Sequence, residues 1–509
     1  MRLLHVLALA LSPLTGLVSA SQNAAQSYPH TLATRSWSEA EVKSELGPRL
    51  SRKASIIGPS NPQWLNTTTW WNPAAAPTIS LVVQVAEEDD VATTVQYCNE
   101  NDISFFAANS KHGFTVTQTQ FEGVLIDLSL LTAITVSRSG KTATIQGGTV
   151  GGEVLATLWE KGYVTVTGAG YCPGYIGLSL GGGNGHLKGA YGMVADNFVK
   201  MRIVLANGRT VTASKTSNYD LFWAMRGAGQ NFGIVTSVES KIYPRPTTDW
   251  FWKTYVFTQD QLETVFETLN TFREEGLHLY ANGMALNNGA YTVAPPEFGL
   301  DEPIFTWQFI YADPSKAHHL APFDAIPALS VTSGTTPYNL VAEIQGFGKG
   351  SPTCEKGLPR LHYTASMQYW NATAQRAVYE LFKEQVGLYP AFATTPVVME
   401  DFANDAALDV DGASTAYPWR EWPLSGLTGI AIEGDPNLEG PAIAWGQEMR
   451  KIWLEGSPEL PPSTYSNYAH GDEQLEWVYG EAWRLQRLRR LKAKYDPHGR
   501  FDYYNPITV

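Results

Sequence analysis

The sequence predicts an α+β fold with two domains: an α/β domain in the first half, and an antiparallel-sheet domain with flanking helices in the second. Three observations lead there. From Ile79 to Ala213, short strand-like apolar runs alternate with helical patterns, the texture of a mixed α/β unit. Inside that stretch Asn207-Gly208 separates two β-rich runs, and Asn-Gly is the strongest two-residue hairpin signal. Beyond Pro244-Arg245-Pro246 the texture changes. Ten of the 16 tryptophans lie past this point, in long strand-like and helical runs without an internal period.

The elements follow in chain order. Met1-Arg2, the apolar run Leu3 to Leu17 and the small residues Val18-Ser19-Ala20 read as a secretory signal peptide over 1–20. Residues 21–77, rich in Ser, Thr and Pro and carrying Trp70-Trp71, read as a leader wrapping onto the first domain, which is placed at 78–246. Ser80 to Val85 predicts a strand. Glu87-Glu88-Asp89-Asp90 then puts acids at a helix start, where the dipole favours them, and Val91, Val95 and Cys98 share one helix face. Further strands are expected at Ile103 to Ala107, Val124 to Asp127 and Ala143 to Gln146, a helix at Gly151 to Trp159, and hairpin strands at Met201 to Ala206 and Thr210 to Ala213. The second domain, at 247–460, carries the strand-like Ile304 to Tyr311 and the helical Thr373 to Val386. The last segment, 461–509, contains a helix from Asp472 to Tyr495, with Leu485, Leu488 and Leu491 packed and the basic run Arg484 to Lys494 read as a solvated face.

Composition narrows the function classes. With 36 Lys+Arg against 49 Asp+Glu the net charge is −13, which argues against general nucleic-acid binding. Hydrophobic residues at 44% supply a sizeable core, and no segment after the leader peptide is apolar for long enough to span a membrane. The three cysteines, Cys98, Cys172 and Cys354, cannot make a disulfide framework and contain no C-x-x-C pair; Cys98 reads as core and Cys354 has no assignment. Two sequons, at Asn66 and Asn371, fit passage through the secretory route. Adjacent His318-His319 point apart on a helix or a strand, so no metal site is expected there. Trp419 and Trp422, flanking Arg420, read as core or as pocket lining.

Three glycine clusters stand out: Gly168 to Gly174, Gly181-Gly182-Gly183-Asn184-Gly185, and Gly227 to Gly233. Each narrowly misses G-x-G-x-x-G, and none follows a strand, opens a helix and has an acid about twenty residues on, so a Rossmann site is a poor reading. Three clusters in one domain imply that backbone repeatedly approaches something closely, and an extended dinucleotide is one such object. His112 sits in Ala107-Ala108-Asn109-Ser110-Lys111-His112-Gly113, directly after a strand. Its neighbours Ser110 and Lys111, with the backbone N–H groups, form a pattern able to hold a pyrophosphate.

The motifs in order carry a resemblance. Phe105 to Gly113, Gly123 to Ser129, Leu178 to Gly185, Tyr191 to Asn197, Asp220 to Thr236, Tyr465-Ser466-Asn467-Tyr468 and Tyr495 to Ile507 resemble flavin oxidoreductases of the vanillyl-alcohol oxidase superfamily. They are closest in pattern to berberine-bridge-enzyme-like oxidases with a p-cresol-methylhydroxylase-type FAD domain. The likeness covers most of the chain.

The resemblance implies a two-domain flavoprotein with FAD between the domains, joined covalently through His112. The FAD-binding positions it implies are Asn109, Ser110, Lys111, His112 and Gly113 in the histidine loop; Gly168, Gly170, Gly174 and Gly177 in the first cluster; Gly182, Gly183 and Gly185 in the second; then Asn197, Gly233, Ile234, Val235 and Asn505. Where relatives have Gly-Gly before the histidine, this chain has Ser110-Lys111. A second tether, a cysteine on the flavin, falls by spacing at Gly170, and Cys172 lies two residues late; a single tether at His112 is therefore expected. The implied chemistry is hydride transfer from a small-molecule substrate to the flavin, with O2 reduced to H2O2. Tyr465 is the first candidate base, Asn467 a positioning residue, and Glu400 or Asp401 the rival. A monomeric, secreted oxidase of secondary metabolism is expected, acting on a small alcohol, phenol or related intermediate. The alternatives are a carbohydrate oxidase, or a flavin-holding protein guiding a redox-neutral cyclisation.

Overall fold

The computed structural model describes residues 37–276, 284–432 and 435–508. The expected signal peptide, and the leader as far as Ser36, lie outside the described residues. The alternation read between Ile79 and Asp127 becomes a four-stranded sheet of β1 (Ser55–Ile57), β2 (Thr78–Gln84), β3 (Phe105–Ala108) and β4 (Glu122–Asp127), in the order β1-β2-β4-β3. Pairs β2/β4 and β3/β4 are parallel, and helix Glu88–Glu100 makes the crossover from β2 to β3. That helix buries Val91, Val95 and Cys98 against Val83, Phe105 and Ile126, as its spacing predicts.

A second, antiparallel sheet uses β5 (Ile134–Val136) and β6 (Thr142–Gln146). After the short strand β7 (Tyr163–Val164) it is completed by β8 (Phe198–Val204), β9 (Thr210–Ser214) and β10 (Ile234–Lys241). Its order is β5-β6-β10-β8-β9, and Asn207-Gly208 turns β8 into β9, with Gly208 at φ +79. The two-residue strand β11 (Tyr243–Pro244) pairs back on β7.

Seven antiparallel strands follow: β12 (Trp250–Phe257), β13 (Leu286–Thr292), β14 (Ile304–Tyr311), β15 (Ser330–Thr336), β16 (Arg360–Met367), β17 (Val397–Phe402) and β18 (Leu424–Ala431). Their order is β15-β12-β14-β13-β17-β18-β16. Side chains alternate between the two faces. Leu361, Tyr363, Val397 and Met399 join one hydrophobic cluster with Phe266, Phe382, Trp445 and Trp453 of helices Leu262–Glu274, Ala372–Leu388 and Glu439–Glu455. The other face carries His362, Val398, Glu400, Leu427 and Gly429 into a cavity.

Two sequence expectations change here. The final helix is broken into Leu475–Tyr479 and Ala482–Tyr495, because Gly480 adopts φ +79 and a side chain there would meet Pro418. Leu485, Leu488 and Leu491 are buried as expected, but the basic run is not wholly solvated. Lys492 is buried, with Nζ 2.6 Å from Asp496 Oδ2, and Arg484 donates to the carbonyls of Thr415 and Gly412. Of the two sequons, Asn66 is exposed, whereas Asn371 caps helix Ala372–Leu388 with its oxygen and donates to the Gly456 carbonyl. No helix among the described residues is long and apolar enough to cross a membrane.

Candidate functional site

A cavity of ≈ 570 Å³ lies between the first sheet, the glycine-rich loops and the open face of the seven-stranded sheet. Its wall at one end is the loop that leaves β3. Lys111 turns that loop with φ +62 and is itself buried, its Nζ 3.5 Å from Asp127 Oδ2 at the end of the neighbouring β4. The lysine expected to face a pyrophosphate is thus engaged in a buried ion pair. Ser110 Oγ accepts from the Gly174 N–H at 2.8 Å, and Asn109 donates to the Thr149 carbonyl at 2.9 Å. These side chains hold the loop against the first glycine cluster, leaving backbone and small residues to face the cavity. The junction is tight: a Cβ on Gly174 would sit 3.0 Å from Asn109 Nδ2 and 3.3 Å from Ser110 Oγ.

His112 lines the cavity and stacks on Trp71, with ring centroids 5.2 Å apart at 22°. Burial, with a smaller contribution from Lys356, pushes its pKa down to about 3. The imidazole is therefore neutral, with a lone pair available as a nucleophile.

Asn109, Ser110, Lys111, His112, Gly113, Gly168, Gly170, Gly174, Gly177, Gly233, Ile234 and Val235 all line this one cavity. Gly182, Gly183, Gly185, Asn197 and Asn505 do not, and each has another task. The triple glycine is where the C-terminal segment docks: a Cβ on Gly181 would lie 2.3 Å from Asn467 Oδ1 and 2.5 Å from Ser466 Oγ, while Gly182 and Gly183 adopt φ +105 and +87. A Cβ on Gly185 would strike the Thr167 carbonyl. Asn197 is buried, donates to the carbonyls of Tyr191 and Met193 and accepts from Tyr243. Asn505 donates to the Ser466 carbonyl at 2.9 Å, fixing the segment that carries Tyr465.

Tyr465, Asn467 and Glu400 line the same cavity. The Tyr465 hydroxyl accepts from Asn467 Nδ2 at 2.7 Å and from the Asn184 N–H at 3.2 Å. Burial outweighs these bonds and pushes the phenol up to about 12. Glu400, on β17, accepts from the Tyr468 hydroxyl at 3.3 Å; burial raises its carboxyl to about 7, against the lowering effects of Tyr468 and Lys188. It is the one carboxylate lining the cavity among the described residues. Its neighbour Asp401 points to the opposite face and pairs with Arg273 of helix Leu262–Glu274. Asp401 is thereby removed as a rival base.

The cysteines require a correction. Cys172 and Cys354 form a disulfide across 182 residues of sequence, and Cys98 is buried and free. An odd count ruled out a framework but not a single bridge. Cys172 lines the cavity with its sulfur committed to Cys354, whose loop covers one wall. Trp419 and Trp422 prove to be packing residues, their rings 4.1 Å apart and tilted by 42°, in a cluster with Met193 and Tyr417. Arg420 between them makes a two-pronged pair with buried Asp196, both contacts at 2.8 Å. Among the described residues, no group of histidine, cysteine or acidic side chains is placed to hold a metal ion.

Trp71, Phe114, His362 and Tyr468 were not singled out by sequence reasoning as site residues. They form a run of near-parallel rings along the cavity, with Phe114 stacked 4.1 Å from His362 and 5.5 Å from Tyr468. Tyr468 lies in the C-terminal motif, but no local pattern marks the other three, which come from separate parts of the chain.

Comparison with known proteins decides the family. Residues 79–214 match the model of an FAD-binding domain. The chain is 47% identical over 471 residues to the FAD-linked oxidoreductase anuG of Penicillium roqueforti, covering 92% of both proteins. This chain is an FAD-linked oxidoreductase. A second relative, the FAD-linked oxidoreductase OXR2 of Pyricularia oryzae, is 42% identical over 488 residues, 94% of each chain. Among solved structures, the xylooligosaccharide oxidase of Myceliophthora thermophila matches with TM-score 0.76 at 20% identity, over 93% of this chain and 99% of that one. The glucooligosaccharide oxidase of Acremonium strictum, studied for its 6-S-cysteinyl, 8α-N1-histidyl FAD, matches with TM-score 0.75 at 18% identity, over 92% and 99%. Both likenesses are of fold. The oxidoreductase's cavity fits FAD: side-chain-free glycines line it from the first cluster to Gly233, and a neutral imidazole faces it at one end.

Proposed function

We propose that this FAD-linked oxidoreductase is a secreted oxidase that takes a hydride from a small alcohol, phenol or related natural-product intermediate, with dioxygen as the final acceptor and hydrogen peroxide as the product. Bound FAD supplies the hydride acceptor. Glu400 carries the reading, as the one carboxylate on the cavity wall among the described residues, with a carboxyl raised to about 7. A general base works best when its pKa lies near the working pH. Above that value Glu400 takes the O–H proton of the substrate as the C–H bond breaks.

Tyr465, held at about 12, stays protonated. Its oxygen already accepts two N–H donors, so its own proton is left to hold the substrate oxygen. The proton-accepting role thus moves from Tyr465, the first choice from sequence, to Glu400. Tyr468 steadies the Glu400 carboxylate, and Asn467 sets the Tyr465 ring.

Attachment of FAD at His112 alone is supported by the neutral imidazole and by Cys172 being bonded to Cys354. The ring faces of Trp71, Phe114, His362 and Tyr468 favour a flat, largely apolar substrate over an oligosaccharide, whose many hydroxyls need polar partners. Secretion is supported by the signal peptide pattern of residues 1–20 and by the exposed sequon at Asn66.

The test is a panel of aromatic and allylic alcohols and phenols set beside cello- and chito-oligosaccharides. Anaerobic bleaching of the flavin and aerobic peroxide release are both measured. Oxidation of oligosaccharides alone would overturn the substrate class. Turnover without bleaching would identify a redox-neutral catalyst, and bleaching without peroxide a dehydrogenase.

A further inference from the structure

Trp71 is held at four points, two on its backbone and two on its indole. Its backbone N–H donates to the Lys111 carbonyl at 3.0 Å, tying it to the residue before His112. Its Nε1 donates to the Thr353 carbonyl at 2.8 Å. Its own carbonyl accepts from the Gly357 N–H at 3.2 Å, and the Arg360 guanidinium lies 5.1 Å from its ring centre. Thr353 and Gly357 flank Cys354, which is bonded to Cys172 in the first glycine cluster. A disulfide-anchored loop therefore grips the indole from one side, while the indole stacks on His112 from the other.

This contact has a chemical use. A half-buried imidazole on a loop can rotate about its side-chain bonds, and each nitrogen points elsewhere in each rotamer. A flat ring stacked on it restricts that rotation. We propose that Trp71, clamped by the Cys172–Cys354 loop, is a positioning residue that presents one His112 nitrogen to the 8α-methyl group of FAD. The inference rests on the reading that FAD is attached at His112. In the attachment an N–C bond forms, while the imidazole N–H and one methyl C–H bond break. The two electrons and two protons released pass to dioxygen as hydrogen peroxide. Orientation of a reacting pair contributes several powers of ten to such a step, so loss of the clamp slows attachment without abolishing cofactor binding.

The experiment measures total FAD in the purified protein and the share that remains in the pellet after acid precipitation, before and after incubation with excess FAD in air. Trp71→Phe keeps a flat ring; Trp71→Leu and Trp71→Ala do not. The expected result is near-complete attachment in Trp71→Phe, and attachment slowed about tenfold or more in Trp71→Leu and Trp71→Ala at unchanged total FAD. Opening the bridge with Cys172→Ala/Cys354→Ala should slow attachment as well. Wild-type attachment rates in Trp71→Leu would overturn the proposal, as would loss of all FAD from the Leu and Ala variants, which would make Trp71 a cofactor-retention residue instead. His112→Ala separates the two readings: acid-stable flavin in that variant would remove the attachment site itself, independently of Trp71.

Discussion

The Tyr468 hydroxyl donates to Glu400 Oε1 at 3.3 Å, joining the C-terminal segment to the centre of the seven-stranded sheet. Two expected outcomes follow from that bond. Glu400 is protonated below about pH 7 and charged above it, so substrate-driven flavin reduction should fall as pH drops through that value. Glu400→Gln should remove this acid limb and slow reduction about 10²–10⁴-fold. The Tyr468 bond lowers the Glu400 pKa, so Tyr468→Phe should move the acid limb to higher pH. Stopped-flow reduction across pH 5 to 9 reads both, and an unmoved limb in Tyr468→Phe would count against the assignment.

The same carboxyl affects stability, and the sign is fixed by linkage. Folding raises the Glu400 carboxyl from its ordinary value of 4.5 to about 7, so over that window the folded state binds a proton that the unfolded state has lost. Stability therefore falls as pH rises from about 4.5 to 7, by on the order of 3 kcal/mol for this group alone. Glu400→Gln should melt higher than wild type at pH 8, with the advantage gone at pH 4. Differential scanning fluorimetry at both pH values checks it.

Tyr465→Phe tests the division of labour. The substitution leaves the Asn184 N–H and one Asn467 N–H without their acceptor and removes a donor from the cavity. Flavin reduction should slow by about tenfold to a thousandfold, with the acid limb still near pH 7. Loss of the acid limb itself in this variant would return the role of base to Tyr465.

How far the site could be read in advance depended on how local each signal was. The hairpin at Asn207-Gly208, strand Ile304–Tyr311 and the buried face of helix Glu88–Glu100 follow from period and turn chemistry, which act within a few residues. The histidine loop was legible through motif order. The Glu400/Asp401 choice was not, because strand alternation sends the two to opposite faces and only the packed helices show which face is enclosed. Lys111 looked like a phosphate ligand, since its charge is visible in sequence while its partner Asp127 is reached only through the parallel β3/β4 register. The triple glycine does mark a close approach, but by the protein's own side chains: Ser466 and Asn467 at Gly181, Met193 and Tyr417 at Gly182, Val194 and Leu178 at Gly183.

The Cys172–Cys354 bridge is the last feature with a measurable consequence. It closes a loop across 182 residues, and the chain-entropy argument places its upper contribution near ~5 kcal/mol, reduced where the unfolded state keeps structure. It also binds the loop holding Trp71 to the wall of the cavity. Cys172→Ala/Cys354→Ala should lower the melting temperature by several degrees. Alkylation of the native wild type without reductant should label no cysteine, since the one free thiol, Cys98, is buried. Peptide mapping by mass spectrometry should recover Cys172 and Cys354 as one linked pair; flavin on a Cys172 peptide would show instead that the sulfur serves the cofactor.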